Sequence, residues 1–427
     1  MIDTAPGFYR GPDGRLCVDG QDVGKLADTY GTPLYLYSGA GLVARFNAFA
    51  QAVAPVQGRV HFAVKANSNL AVLSLLAQAG AGADIVSGGE MARALAAGIA
   101  PEHIVFSGVG KTDEEIADAL RQHIGQINAE SAAEIERISH VARQMGVIAP
   151  VALRVNVNVD AGTHEKISTG QRSTKFGISV ADGEAARLYQ RLADDAWIAP
   201  SGLAVHIGSQ ITNLAPFEAA YQALLTLADA LRDQGLPVPM LDLGGGLGID
   251  YEASSGSDFD GYGAMVTRIF GNRGYQLGFE PGRSIAADNG LFVTRTLYVK
   301  DGADKRFVIV DGAMNDLIRP TLYEAYHRIE PVESVAGRSV GLADIVGPVC
   351  ETGDYLGRGR EMAEVNRGDL LAVFSAGAYG AVMMSNYNTR PEAAEVLIHD
   401  GAAHLVRPRR RVADLLEGEI NPFAPAQ

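Results

Sequence analysis

The chain has 427 residues, 47% hydrophobic and 20% charged, a composition that excludes a disordered or fibrous protein and a length beyond what one hydrophobic core usually supports. Fifty acidic against 36 basic residues give a net charge of −14, which argues against nucleic acid or an anionic membrane as a partner. Cys17 and Cys350 lie far apart without CxxC spacing, no signal-like segment opens the chain, and no run of about 18 apolar residues could span a bilayer. A reduced, cytoplasmic protein is expected.

The first 35 or so residues lack a helix–strand rhythm. From about residue 58 to 281, short β-type runs alternate with helical ones: VHFAVK, GADIVS, HIVFSG, IGQINA, VALRVNV, GLAVHIG, PMLDLGG and YQLGFEP. Between them lie segments of 3–4 apolar spacing such as NLAVLSLLAQAG, SAAEIERISHVARQMG and PFEAAYQALLTLADALRDQG. Ser131 with Glu134, and Thr112 with Glu115, carry the spacing of a helix capping box. Eight such strands predict a (β/α)8 TIM-type barrel rather than an open sheet. After residue 285 the runs GLFVTRTLYVK, KRFVIVDG, ADIVGPVC, DLLAVFSAG and AAEVLIHDG predict a second, mainly β domain, a barrel or sandwich that the N-terminal segment joins. The expected boundaries are 38–286 for the barrel, and 1–37 with 287–427 for the β domain.

Strand parity then selects a set of residues. Side chains alternate between the barrel interior and the helices outside, and the polar member falls on the interior side at the C-terminal end of each run. Lys65, Asp84, Asn128, Arg154, His206, Asp242 and Glu280 should therefore converge on the mouth, where barrel enzymes place their chemistry. Unpaired buried charges cost several kcal/mol each, so such convergence is hard to explain as packing.

Three familiar patterns fail. GVGKT at 108–112 lacks the glycine a P-loop needs five positions before Gly110, where Val105 stands; HEKIS at 164–168 lacks the second histidine of a zinc protease; no histidine pair has metal-ligand spacing, so no metal is expected. The three glycines 244–246 are open to two readings, a tight barrel turn or a cradle of N–H groups for an anion. EPGRS at 280–284, on the adjacent strand end, favours the cradle, because barrel phosphate sites are built by the loops after strands seven and eight. Lys65 is either a snorkelling surface lysine or half of a salt bridge or, if desolvated, a nucleophilic amine able to form a Schiff base. Opposite a phosphate cradle, pyridoxal 5′-phosphate is its obvious partner. His206 offers a flat ring for stacking on that cofactor. Glu280 would face the pyridine nitrogen.

The stretches HFAVKANSN, GADIVSGGE, VHIGSQ, LDLGGGLGIDY, EPGRS, GPVCETGD and GAYGAVMMSNYNTRPEAAEVL together resemble the diaminopimelate decarboxylase family, of the alanine-racemase-like (type III) fold of pyridoxal phosphate enzymes. The resemblance runs from about residue 8 to 410. It implies decarboxylation of meso-2,6-diaminopimelate to L-lysine, with Lys65 as the Schiff-base lysine and His206 against the cofactor ring. It further implies cofactor contacts from Asp84, Ser209, Gly245, Gly246, Pro281, Gly282, Arg283 and Tyr379, with Glu280 at the pyridinium. Cys350 is similar to the family's proton donor, Glu351 to the ligand of the distal ammonium, and Arg283, Arg319, Tyr323 and Tyr379 to substrate contacts. The family forms a head-to-tail homodimer, so Cys350 and Glu351 are expected to act in the partner's site.

The chemistry agrees. A substrate carrying two ammonium and two carboxylate groups needs a cation and an anion at its far end, and Arg319 with Glu351 supplies opposite signs. A thiol is largely protonated at neutral pH and can donate. Alone, Cys350 reads equally as a small buried hydrophobe. A racemase on the same scaffold, a decarboxylase for arginine, ornithine or a carboxylated polyamine, and a non-catalytic carrier of the cofactor remain the alternatives.

Overall fold

The computed structural model describes residues 7–160, 162, 175–252, 257–334 and 337–423; the HEKIS stretch lies outside them. They divide into two compact units, Gly39–Asn289 and Gly7–Ser38 with Gly290–Gln427.

The first unit is a closed parallel barrel. Its eight strands are Arg59–Ala63, Gly82–Ile85, Ile104–Phe106, Gln126–Ala129, Ala149–Asn156, Ile198–Val205, Met240–Asp242 and Gln276–Phe279, each paired with the next and the eighth with the first. Seven helices follow the first seven strands, from Leu70–Gln78 to Phe259–Phe270. The eighth place is filled from the other end of the chain. Helix Gly39–Val53, which precedes the first strand, packs against both Leu70–Gln78 and Phe259–Phe270. Phe49 meets Phe259 edge-on at 5.2 Å and Phe279 at 5.9 Å, a geometry aromatic pairs favour. Gly263 permits the approach, since a Cβ there would stand 2.3 Å from the Ala52 carbonyl.

The capping residues act as the spacing predicts, with one difference. Thr112 and Glu115 form a complete reciprocal box, whereas Ser131 accepts the Glu134 N–H but Glu134 does not return the bond. Its carboxylate instead takes the Glu130 N–H at 2.7 Å and the Lys111 ammonium at 2.8 Å. A fully buried ammonium is the stronger claim on a carboxylate than a backbone amide. Lys111, the lysine of GVGKT, is thus held inside the protein, also donating to the Gly108 and Asn128 carbonyls.

In the second unit one connected nine-stranded sheet dominates. Strand Leu34–Ser38, from the N-terminal segment, lies between Gly290–Asp301 and Ala394–His399, antiparallel to the former and parallel to the latter. That pairing places the N-terminal segment in the β unit. No helix among the described residues is long and apolar enough to cross a membrane.

Candidate active site

Lys65 stands just past the first strand, on a single 3-10 turn, Val64–Ala66. The strand end is locked to the loop after strand eight by Ala63 N–H donating to the Pro281 carbonyl at 3.1 Å. Gly282 fits there because a Cβ would lie 2.9 Å from that of Ala66. Of the readings open to this lysine, the structure shows the ion-paired one. Lys65 Nζ lies 2.5 Å from Asp84 Oδ2, with the lysine side chain 33% exposed and the aspartate 0%. Asp84 is the last residue but one of the second strand, which pairs with the first through Ala63 and Asp84 themselves.

Two more carboxylates close the interior side. Asp242 accepts from the Gly244 N–H at 3.0 Å and from the amides of Gln126 and Asn128 at 3.3 and 3.5 Å. It also hydrogen-bonds carboxyl to carboxyl with Glu280. Burial, then the charges of Asp242 and Asp84, push the Glu280 carboxyl well above the usual carboxylate range. Burial raises Asp242 as well. The pair therefore retains a proton, as two carboxyl groups in contact must. Glu280 Oε1 and Asp84 Oδ1 are buried with no hydrogen-bond partner among the described residues.

His206 immediately follows the sixth strand. Its Nδ1 accepts the Gly245 N–H at 3.2 Å. Burial first, then the cations Arg154 and Lys65, hold its pKa well below that of free histidine, so the ring is neutral with its proton on Nε2. Arg154 is itself neutralised by Glu130 at 2.8 Å. Around these groups lies a cavity of about 310 Å³ lined by Lys65, Asn128, Arg154, His206, Asp242 and Glu280, with Phe176 and the 107–109 turn at its side.

The glycine turn serves the protein before any ligand. A Cβ on Gly244, Gly245 or Gly246 would come within 2.1 to 2.3 Å of the carbonyls of Val205, Glu280 and Gly208 respectively. The N–H groups of Gly244 and Gly245 are already given to Asp242 and His206. Gly245 thus orients the histidine. Arg283, 6% exposed, donates to Ser209 Oγ at 3.0 Å and Tyr251 Oη at 2.5 Å, which gathers Ser209, Arg283 and the Gly246 turn on one side of the barrel.

The remaining predicted residues belong to the β unit. Arg319 opens the Arg319–Tyr323 helix and is buried, Tyr323 is half-buried, and Tyr379 sits at φ 56°, a left-handed backbone that costs a bulky residue roughly 1 kcal/mol or more and marks a constrained position. Cys350 is exposed, which removes the reading of a buried hydrophobe. Glu351 accepts from Tyr387 Oη at 3.1 Å.

Residues 40–287 match the pyridoxal-dependent decarboxylase family, pyridoxal binding domain. The chain is 47% identical over 412 residues to the diaminopimelate decarboxylase of Zymomonas mobilis, covering 95% of this chain and 97% of that one. It belongs to the diaminopimelate decarboxylases. The Pseudomonas aeruginosa member is 48% identical over 409 residues, 95% of this chain and 97% of that one. Among solved structures, the Helicobacter pylori diaminopimelate decarboxylase complexed with L-lysine superposes with a TM-score of 0.88 at 38% identity, covering 92% of this chain and 98% of that chain.

The barrel mouth fits the cofactor of this family. An amine for an aldehyde, a flat neutral ring, a carboxyl oxygen without a partner for a ring nitrogen, and an arginine beside a glycine turn for an anionic tail are the required donor set. Sequence reasoning passed over Glu130, which binds Arg154 and takes the N–H groups of Gly108 and Gly177, each at 3.1 Å. Parity could have found it, two positions beyond Asn128. Tyr251, in a loop, carried no such signal.

Proposed function

We propose that the enzyme decarboxylates meso-2,6-diaminopimelate to L-lysine and CO2 with pyridoxal 5′-phosphate, the last step of lysine biosynthesis by the diaminopimelate route. The observation that carries this reading is the meeting of Lys65, with Asp84 paired to it, His206 and Glu280 around one cavity at the barrel mouth of a chain from this family. Lys65 is the amine that holds the aldehyde, and Asp84 is its counter-ion until then. His206 would back the ring, and Glu280, whose Oε1 is buried without a partner among the described residues and whose proton is shared with Asp242, would hold the ring nitrogen. Ser209, Gly246, Gly282 and Arg283 hold the phosphate. Bound there, the cofactor supplies a sink for the electron pair that the departing carboxylate leaves behind.

For the β unit we infer substrate roles. Arg319, with Arg283 and Tyr323, reads the far carboxylate, and Glu351 the far ammonium, a charge-assisted pair of opposite sign. Cys350 hands a proton to the carbon that has lost CO2. Its exposure supports a task outside its own unit, as a cytoplasmic homodimer would need if Cys350 and Glu351 serve the partner's site and Tyr379 bridges cofactor and substrate. L-lysine, the ligand of the Helicobacter pylori structure, is the product of this reaction.

The test is direct. Purified protein with pyridoxal phosphate and meso-diaminopimelate should yield lysine and CO2 in equal amounts. Release of CO2 from ornithine or arginine in preference to diaminopimelate, or epimerisation without CO2, would overturn the reading.

A further inference from the structure

In the β unit, Arg319 is 4% exposed, and its Nε donates to His327 Nε2 at 3.2 Å. His327 is 0% exposed, with Nδ1 2.8 Å from the Phe374 carbonyl. A ring nitrogen that accepts from a guanidinium carries no proton, so the ring's hydrogen sits on Nδ1 and is donated to that carbonyl. Both bonds then require the same neutral tautomer. Protonated, the ring would set N–H against N–H.

The anchor of this histidine is a sheet. Phe374 directly follows the strand Leu370–Val373, which pairs with both Gly290–Asp301 and Ile329–Pro331. The Phe374 N–H donates to the Arg328 carbonyl at 2.8 Å, and its ring lies 3.7 Å from the Arg328 guanidinium carbon. His327 is therefore fixed from behind by regular structure, and it presents one directional acceptor to the arginine. A guanidinium is planar, so an acceptor at Nε sets the rotation of the whole fork. Carboxylate recognition by such a fork depends on that plane, because two parallel bonds must form at once. A histidine that only filled the core would satisfy Phe374 and need no bond to Arg319.

We propose that His327 is a positioning residue that sets the plane of the Arg319 guanidinium, and through it the enzyme's preference for ligands with a carboxylate at the far end. The proposal rests on the reading of Arg319 given above. Two ligands separate the terms. L-lysine keeps the far carboxylate after decarboxylation, whereas 1,5-diaminopentane lacks it.

The experiment measures kcat and KM for meso-diaminopimelate, and inhibition constants for lysine and 1,5-diaminopentane, on the holoenzyme and on His327→Asn, His327→Gln, His327→Leu and Arg319→Met. Asparagine can still donate to the Phe374 carbonyl but is too short to accept from Arg319. Its KM and lysine inhibition constant should both rise about tenfold, the loss expected when a charge-assisted contact is misaligned. Its kcat should stay within about threefold, and its diaminopentane constant should not move. Glutamine, whose amide oxygen reaches the Nε2 position, should recover most of the loss. If asparagine does not fold, glutamine against leucine gives the same contrast. The proposal is overturned if His327→Asn matches the parent on KM and lysine while Arg319→Met does not. It is also overturned if the variant lowers kcat alone or weakens both inhibitors equally. An Arg319→Met enzyme with unchanged lysine binding would instead bring down the reading of Arg319, and this proposal with it.

Discussion

The two ends of the barrel enclose cavities of equal size, about 310 Å³ each, but differ in how their polar groups are held. At the mouth, Lys65 meets Asp84, Arg154 meets Glu130, and Asp242 meets Glu280, each pair joining different strands or the turns that follow them. At the base, Arg59, His61 and Gln276 line the cavity around strand starts, and Arg59 and Gln276 reach solvent. Each end also has a histidine held neutral by burial. His206 is oriented by a backbone N–H from a neighbouring strand's turn, whereas His61 is wedged beside Gly82, its Nδ1 without a partner among the described residues. Burial alone therefore does not distinguish the two ends of this barrel. Partners brought from separate elements do.

The sharpest way to break this contrast is to remove the amine. Lys65→Ala should cost on the order of 10⁴-fold or more in turnover, as loss of a covalent catalyst does, and abolish the cofactor's imine absorbance. It should also lower the melting temperature, because Asp84 is left buried without its counter-ion. Arg59→Ala, on the same strand at the other end, should stay within twofold of the parent in activity. A Lys65 variant with a tenth of the parent's turnover would erase the distinction between the ends.

Much of the mouth was legible because the strand period of two is a hard geometric rule. Lys65, Asp84, Asn128, Arg154, His206, Asp242 and Glu280 were selected by parity, and six of them line one cavity while the seventh, Asp84, ion-pairs with Lys65. Parity does not say where a strand stops. Lys65, His206 and Glu280 lie just beyond their strands, and their direction is set by turns. Nor could it say how a lysine is paired, which depends on a residue 19 positions away. In the β unit no period helped. Cys350 and Glu351 sit in a loop between strands Val340–Val346 and Tyr355–Ala363, and only motif resemblance pointed to them. His327 closes the segment LIRPTLYEAYH that holds Arg319 and Tyr323, but the segment assigns it no role, since its bond to Arg319 forms only in the fold.

A smaller effect, with opposite signs for activity and stability, should come from Glu280→Gln. Turnover should fall about 10²- to 10³-fold, the scale for losing one preorganised electrostatic partner. Stability of the apoprotein should rise. The folded pKa of Glu280 lies above its unfolded value, so above roughly pH 4.5 unfolding releases its proton and stability declines as pH rises. Glutamine removes that decline and can still donate to Asp242. The gain in melting temperature should be present at pH 8 and absent near pH 4. A loss of stability at both values would mean that the carboxyl pair holds the barrel together.

The smallest effect belongs to the base, and it concerns stability alone. Burial first, then Arg59 and His103, lower the His61 pKa to about 3, against an unfolded value near 6.5. A base whose folded pKa is depressed costs nothing while both states are neutral. As pH falls through the unfolded pKa, the unfolded chain takes up a proton the folded chain refuses, and stability drops by about 1.4 kcal/mol per pH unit until pH 3 or so. By pH 5 this amounts to about 2 kcal/mol. His61→Gln should therefore leave activity intact and flatten the acid limb by one proton, so that its denaturation midpoint gains on the parent between pH 6.5 and 5. His206 acts on both proteins alike and cancels in the difference. Parallel stability curves would show that His61 titrates freely in the fold, and the base would then be open to water rather than packed.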